Sequence, residues 1–253
     1  MKKIILSFDD GGRDFYNVAY PILKKYNLTG VANIITKHIK PATGSTPENR
    51  YMTEENLLEL QKNGIEIACH GRNHENTIED IFNNIEDFKN MGIDVENIGF
   101  ASPGSGITMD NVDAVDSLIK NKTISYIRSA YTPDKDGKFM EFMNRFMEKS
   151  SSADLFYLMN KRNYIKSFDY PWFPSVVITS YTTMKQIKKL LKKMPDDSSV
   201  IIMFHHIYEK GDAGYGKSIW YWDADLFREL CEYIRDDENF VCVNNINLVK
   251  TEV

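Results

Sequence analysis

The sequence has few cysteines and no long apolar run. Its 253 residues include three cysteines, which lie far apart, so we expect reduced thiols and a cytoplasmic protein. The apolar run near the amino terminus covers only residues 4–6, which is too short for the core of a signal peptide. No apolar stretch approaches the length of a membrane span. We therefore expect neither a disulfide framework nor a membrane-spanning segment.

The chain also lacks an excess of positive charge. Lysine and arginine number 31 against 36 aspartate and glutamate residues, and the formal net charge is −5. Phosphate backbones are bound by clustered basic side chains, so no nucleic-acid partner is expected. The sequence has no internal repeat and no low-complexity tract. With 42% hydrophobic and 26% charged residues, it is typical of a globular protein, and we predict one domain over residues 1–253.

Short apolar runs alternate with amphipathic segments along most of the chain. The amphipathic segments have helix signals, such as Thr53 as an N-cap and Asn63-Gly64 as a stop. This alternation predicts an α/β fold with a mostly parallel sheet, and the length favours closure into a barrel. Residues 131–174 break the pattern and are interpreted as a helical insertion followed by an aromatic, proline-rich segment. Strands are predicted at residues 3–8, 31–35, 65–69, 98–101, 124–127, 199–204 and 240–243.

Polar or turn-forming residues follow four of these predicted strands. Loops after parallel strands meet at one edge of the sheet, where the active sites of α/β proteins form. Four weak signals at one edge support each other. The residues concerned are Asp9 and Asp10, His70, Pro103 with Gly104, and His205.

Two of these groups have the composition of a metal site. Asp9 and Asp10 could simply cap the next helix, or one could bind a cation while the other acts as a general base. His70 and His74, at i and i+4, converge if they lie on one helical turn; otherwise they are exposed or core histidines. One carboxylate with two imidazoles suits a divalent cation and leaves coordination positions open.

The two histidines that follow the predicted strand at residues 199–204 allow two readings each, whereas Cys69 allows one. His205 could be satisfied by backbone groups, or it could donate a proton across from a metal. His206 is either an oriented neighbour or exposed. Cys69 alternates with His70 along its strand, so its side chain is expected on the opposite face, in the core.

The motifs together resemble the polysaccharide deacetylase family (carbohydrate esterase family 4), over residues 3 to about 243. The resemblance implies a distorted, incomplete (β/α) barrel with about seven parallel strands. It also implies a metal-dependent hydrolase that removes acetyl groups, with the N-acetyl group of an amino sugar or glycan as the expected substrate. Alternatives are an O-deacetylase, a small-amide hydrolase, or a catalytically weak glycan-binding protein. The motifs are Ser7-Phe8-Asp9-Asp10, His70-x-x-x-His74, Phe100-Ala101-Ser102-Pro103-Gly104 and Phe204-His205.

The resemblance assigns a role to each motif residue. Asp9 is the expected catalytic base and His205 the expected general acid. Asp10, His70 and His74 are the expected ligands of one divalent metal ion. Zinc is the usual metal of the family, and cobalt or another divalent ion is expected to replace it.

The sequence departs from the family pattern at three places. Gly71 stands where the family usually has serine or threonine. Ala101 stands where many members have an arginine that orients the base. Some relatives in an exopolysaccharide-modifying sub-branch also have alanine at this position. The family's Asp-Trp motif has only Asp169-Tyr-Pro-Trp172 as a candidate. We predict that Arg128, rather than Arg13, supplies the missing guanidinium, because it follows the next strand and can hold a carboxylate with two N–H groups.

Several residues are expected to contact a sugar substrate. Aromatic rings provide stacking surfaces for sugars, although core packing is an equally good reading of each tryptophan. The candidates are Pro103, Gly104, Trp172, Trp220 and Trp222.

Overall fold

A computed structural model describes residues 1–40, 50–107, 111–130, 152–166 and 171–245. The strands in these ranges are β1 (Lys2–Phe8), β2 (Val31–Ile34), β3 (Glu66–Cys69), β4 (Phe100–Ala101), β5 (Ile127–Ser129), β6 (Trp172–Pro174), β7 (Val176–Val177), β8 (Ser199–Phe204), β9 (His206–Tyr208), β10 (Tyr221–Asp223) and β11 (Phe240–Cys242). The helices are α1 (Tyr20–Lys25), α2 (Glu54–Lys62), α3 (Ile78–Asn90), α4 (Val112–Lys120), α5 (Ala153–Asn160), α6 (Met184–Lys192) and α7 (Ala224–Asp236). A π-helical turn (Phe15–Ala19) precedes α1.

The main sheet is parallel and closes on itself. Its strand order is β6-β5-β4-β3-β2-β1-β8-β7, and β11 pairs with the start of β1. Only Ser175 separates β6 from β7, so one short segment pairs with β5 at its beginning and with β8 at its end. This segment joins the two edges and gives seven strand positions around the barrel. The α/β class and the distorted barrel of about seven parallel strands are therefore confirmed.

Alternation along the strands separates the two faces of the barrel. On β1, Ile4, Leu6 and Phe8 join the large apolar cluster between the sheet and the helices. Ile5 belongs instead to a smaller cluster, together with Val31 of β2, Ala68 of β3, Tyr126 next to β5, Phe173 of β6 and Ile201 of β8. Successive strand residues point to opposite faces, so this second cluster fills the barrel interior. The same alternation places polar side chains in the barrel interior near the carboxyl ends of the strands.

The predicted helix signals are confirmed. The Thr53 hydroxyl accepts a hydrogen bond from the Asn56 backbone N–H, and the Asn56 side chain caps the Thr53 N–H in return. Thr183 and Gln186 form the same reciprocal cap on α6. Each cap satisfies two backbone N–H groups that an isolated helix leaves unpaired. None of the helices within the described ranges is long and apolar enough to cross a membrane.

Two boundaries predicted from the sequence are wrong. The fifth strand was expected at residues 124–127 but covers Ile127–Ser129, so Arg128 lies inside the strand rather than after it. The insertion predicted at 131–174 ends too late, because Trp172–Pro174 is the barrel strand β6. Part of that insertion is helical as predicted, because α5 lies within it. This helix packs against α6. Residues 131–151 and 167–170, with Asp169 of the proposed Asp-Trp motif, lie outside the described residues.

Candidate active site

The three predicted metal ligands lie together at the carboxyl ends of the strands. The Asp10 Oδ1 atom is 3.4 Å from His70 Nε2 and 3.7 Å from His74 Nε2. One ligand atom from each side chain lies within 4.8 Å of the others. Tetrahedral zinc, with ligands at about 2.0–2.2 Å, holds its ligand atoms about 3.3 Å apart. This donor set therefore fits a divalent cation with a small adjustment of the side chains.

The two histidines converge without the helical turn that their spacing suggested. The segment after β3 is an irregular loop in which Gly71 and His74 have φ values of 74° and 66°. The buried Asp80 carboxylate holds this loop, accepting hydrogen bonds from the backbone N–H groups of Asn73 and Glu75 at 2.9 and 3.0 Å. A Cβ atom at position 71 would lie 2.5 Å from Asp80 Oδ2. Glycine at this position thus follows from its backbone conformation and from the approach of Asp80.

Hydrogen bonds fix the orientation of the His70 ring. Its Nδ1 lies 2.8 Å from the carbonyl oxygen of Ala101. A carbonyl only accepts, so Nδ1 carries the proton and Nε2 presents a lone pair towards Asp10. The backbone N–H of His70 donates to Asn84 Oδ1 at 3.0 Å. Burial lowers the pKa of His74, so this imidazole also favours its neutral, ligating form.

Asp9 is buried and paired with the predicted arginine. Its side chain is 4% exposed and that of Arg128 is 1% exposed, and Arg128 Nη2 donates to Asp9 Oδ1. The predicted contact is thus present, but through one nitrogen and one oxygen rather than as a two-point fork. Burial raises the pKa of Asp9, but the charge of Arg128 opposes it and the net pKa lies below 3.8. Asp9 is therefore ionised at neutral pH.

The strand register places Arg128 beside the position at which the family resemblance leads one to expect an arginine. Ala101 of β4 and Arg128 of β5 are register partners on neighbouring parallel strands. Partners in such a pair point to the same face of the sheet, so the two positions offer alternative origins for one guanidinium. The small Ala101 side chain leaves room for the long Arg128 side chain beside it.

The two histidines after β8 have different surroundings. The ring of His205 lies 4.8 Å from that of Trp220, and its Nδ1 is buried with no hydrogen-bond partner among the described residues. Burial lowers the pKa of His205, which the carboxylates of Asp9 and Asp10 oppose. The Nδ1 of His206, in contrast, lies 2.9 Å from Asp14 Oδ1. A lower pKa makes a protonated His205 a stronger acid than a free imidazolium.

A cavity of about 490 Å³ unites these groups. That volume is within the usual range for small-molecule sites. The cavity is lined by all the predicted metal and catalytic residues, and by two of the predicted substrate residues, Gly104 and Trp220. Trp220 is 39% exposed at the rim, where its ring is available for stacking.

Three of the predicted substrate residues do not line this cavity. Trp222 is only 1% exposed, and its Nε1 donates to the Thr182 carbonyl at 2.8 Å, so it is a core residue. Trp172 begins β6, which places it at the amino ends of the strands, away from the cavity. Pro103 is buried, and its carbonyl oxygen accepts a hydrogen bond from Asn76 Nδ2 at 3.0 Å. The direction of a strand and the face on which a residue lies, which composition does not reveal, account for the positions of Trp172 and Trp222.

Comparison with known proteins relates the first part of the chain to a known family. The polysaccharide deacetylase family model matches residues 1–115. Residues 1–115 of this chain match the polysaccharide deacetylase family. This part contains Asp9, Asp10, His70 and His74, whereas Arg128 and His205 lie beyond it. The resemblance inferred from the motifs is thereby confirmed for residues 1–115.

A curated relative and a solved structure resemble this chain over different lengths. YxkH of Bacillus subtilis (strain 168), named by inference as a polysaccharide deacetylase, is 36% identical over 73 residues, which are 29% of this chain and 24% of that protein. The chain thus matches about a quarter of that relative's length. The peptidoglycan deacetylase PdaC from Bacillus subtilis is 18% identical, with a TM-score of 0.50 over 98% of this chain and 91% of that one.

A second solved structure shows the same fold. The Xyl-CE4 domain of a multidomain xylanase, from the hindgut metagenome of Trinervitermes trinervoides, has a TM-score of 0.51 at 12% identity. The alignment covers 98% of this chain and 89% of that one. Identities this low establish the fold alone.

Sequence reasoning missed the residues that support the site. Asn33, inside the barrel, contacts Asp9; Asp80 holds the His74 loop; and Asn84 accepts from the His70 backbone. Asn33 had a readable signal, because it is the one polar residue in the strand Val31–Ile34. Asp80 and Asn84 lie on α3 and had no such signal, since polar residues on a helix are usually solvated.

Proposed function

We propose that this protein is a metal-dependent deacetylase that hydrolyses the N-acetyl group of an amino sugar or glycan. The observation that carries the proposal is the convergence of Asp9, Asp10, His70, His74 and His205 on one cavity. Metal-assisted amide hydrolysis requires an ionised base, a set of ligands for the cation and a proton donor, and these residues supply all three. The match to the polysaccharide deacetylase family supports an acetylated glycan as substrate.

Asp10, His70 and His74 would hold the metal, and zinc is the ion their chemistry favours. Two imidazoles and one carboxylate are ligands that zinc shares with cobalt and other divalent ions. When bound, such an ion supplies Lewis-acid polarisation of the acetyl carbonyl and lowers the pKa of water in the site. Asp10 is suited to this position because its Oδ1 atom lies 3.4 Å from His70 Nε2 and 3.7 Å from His74 Nε2.

The catalytic steps depend on two other side chains. Asp9, kept ionised by Arg128, accepts a proton from the water that attacks the acetyl carbon. His205, within the same cavity, donates a proton to the leaving nitrogen as the carbon–nitrogen bond breaks. The products are acetate and a free amine. Trp220 stands beside His205 and offers a stacking face to the sugar ring.

A panel of acetylated substrates tests the reaction and its bond specificity. Acetate release should be measured with N-acetylated amino-sugar oligomers, O-acetylated oligosaccharides and small cyclic amides, each with added zinc or cobalt. Turnover of the N-acetylated oligomers alone supports the proposal. Faster release from O-acetyl esters would assign an O-deacetylase, and opening of the cyclic amides a small-amide hydrolase. Glycan binding without acetate release from any substrate would contradict an enzymatic role.

The two neighbouring histidines provide a matched pair of variants. His205→Gln should lower the turnover number by about 10²–10⁴-fold, because general acid–base steps commonly contribute that much. His206→Gln should lower it by less than about 10-fold, since its imidazole is engaged with Asp14. Turnover of both variants should be compared at equal zinc content. If the turnover number fell more in His206→Gln than in His205→Gln, the general acid would have been assigned to the wrong histidine.

A further inference from the structure

Asp9 is held through one of its two carboxylate oxygens. Oδ1 accepts from Arg128 Nη2 and also from Asn33 Nδ2, the latter at 2.8 Å. Within the described part of the chain, no hydrogen bond to Oδ2 is formed. His70 Nε2 lies 3.8 Å from Oδ2, which is beyond hydrogen-bond distance. The two donors therefore fix the carboxylate on one side and leave the other oxygen facing the metal ligands.

Asn33 occupies a position that packing alone would give to an apolar residue. It is fully buried on β2, on the same barrel face as Val31 of the interior cluster. Its amide nitrogen donates to Ser7 Oγ and Asp9 Oδ1, both at 2.8 Å, and to the Phe8 carbonyl oxygen at 3.2 Å. The Asp9 carboxylate only accepts, so the amide nitrogen, and not the oxygen, must face it.

The oxygen of the Asn33 amide is in an energetically unfavourable position. Its Oδ1 is buried with no hydrogen-bond partner among the described residues. An unpaired buried acceptor is unfavourable and uncommon, and a leucine of similar size would avoid it. Stability therefore does not account for asparagine at this position, whereas its contact with Asp9 does.

We propose that Asn33 is a positioning residue that, together with Arg128, holds Asp9 by Oδ1 and leaves Oδ2 as the atom that accepts the proton. The proposal rests on the proposed function, because it specifies how the base of that reaction is held. Arg128 reaches Asp9 from β5 and Asn33 from β2, on opposite sides of β3 and β4 in the sheet order. Two donors from separated strands restrict rotation of the carboxylate, which one contact would allow.

The test compares Asn33→Leu with Ser7→Ala. Asn33→Leu removes the donor to Asp9 and keeps the volume. Ser7→Ala removes one of the two other acceptors of the same amide and leaves the contacts of Asn33 with Asp9 and with the Phe8 carbonyl oxygen in place. The turnover number should be expressed per bound zinc, so that a loss of folded protein does not enter the comparison, and KM should be measured in the same assays. Asn33→Leu should lower kcat by about 10–100-fold, the usual range for a hydrogen bond to a charged group, with KM unchanged.

The control and a second variant keep the outcome decisive. Ser7→Ala should keep kcat within about 3-fold of the unaltered protein, since the clamp on Oδ1 remains. If Asn33→Leu does not fold, Asn33→Ser, which is smaller and polar, takes its place with the same expected loss. Unchanged kcat in the Asn33 variant, or an equal loss in Ser7→Ala, would overturn the proposal.

A crystal structure of the Asn33 variant separates this proposal from the proposed function. We expect the Asp9 carboxylate to rotate away from its position in the unaltered protein while Asp10, His70 and His74 stay in place. An unmoved Asp9 would refute the positioning role whatever the reaction. If the unaltered protein releases no acetate, the proposed function fails, and the position of Asp9 still decides the role of Asn33.

Discussion

Replacing Asp9 with asparagine is expected to lower the rate of acetate release by about 10²–10⁴-fold, the usual contribution of a general base. The substitution keeps the shape of the side chain and its contact with Arg128 but removes the charge that accepts a proton. The zinc content should stay normal, because the three ligand atoms belong to Asp10, His70 and His74. The measurement is steady-state turnover alongside metal analysis of the same preparation.

Asp10→Asn is the matched control for this prediction. It changes the adjacent carboxylate in the same way but removes a ligand charge, so zinc affinity should fall and activity should partly return in excess zinc. A reversed pattern would contradict the assignment. If Asp9→Asn lost its zinc and recovered in excess metal, while Asp10→Asn stayed inactive with zinc bound, the two roles would be exchanged.

Arg128→Met is expected to lower the free energy of unfolding by about 3–5 kcal/mol, since breaking a buried ion pair leaves an uncompensated charge. For a chain of this size the loss corresponds to a fall of roughly 6–20 °C in Tm. Both partners are almost fully buried, which places this pair well above the weak stabilisation of a surface salt bridge. Denaturant unfolding at pH 7 measures the effect.

The pH dependence of the Arg128→Met effect identifies its cause. In the unaltered protein the pKa of Asp9 is lowered, so the stabilisation from this ion pair is present above the ordinary pKa of aspartate and is lost as the pH falls below it. In the metal-free variant, burial is no longer opposed by the Arg128 charge and raises the pKa of Asp9, so Asp9 becomes neutral at a higher pH. The difference in stability should therefore shrink as the pH falls from 7 to 4. A constant difference would indicate lost packing rather than an unpaired charge.

Two further substitutions test the position of the guanidinium. Arg128→Lys keeps the positive charge but not the planar group, so turnover should fall at normal zinc content. Ala101→Arg in the Arg128→Ala background should recover part of the lost turnover, because these residues are register partners on neighbouring strands. If a well-folded double variant recovered no turnover, an arginine on β4 would not be able to replace the contact that Arg128 makes from β5.

The barrel and its reactive edge could be predicted because both depend on local patterns. Apolar runs and helix caps lie in the sequence, and residues such as Asp9, His70 and His205 directly follow strands. Parallel strands then bring them together regardless of the loops between them. Arg128 was predicted from the same logic, even though its strand begins three residues later than expected.

The rest of the site depends on features that a single sequence does not display. Trp172 and Trp222 were misassigned because the end and the face of a strand that a residue occupies follow from the three-dimensional register. His74 reaches the site through a left-handed backbone conformation, not the helical turn its spacing suggested. The role of Asn33 depends on a contact between β1 and β2 inside the barrel.

Dependence on one divalent ion is the central claim, and a zinc titration of metal-free protein tests it directly. Acetate release from an N-acetylated oligosaccharide should rise linearly with added zinc and level off at one equivalent per chain. His70→Ala, which removes a ligand, should show no such break at the same protein concentration. Full activity after exhaustive chelation, or a break at two equivalents, would contradict the account.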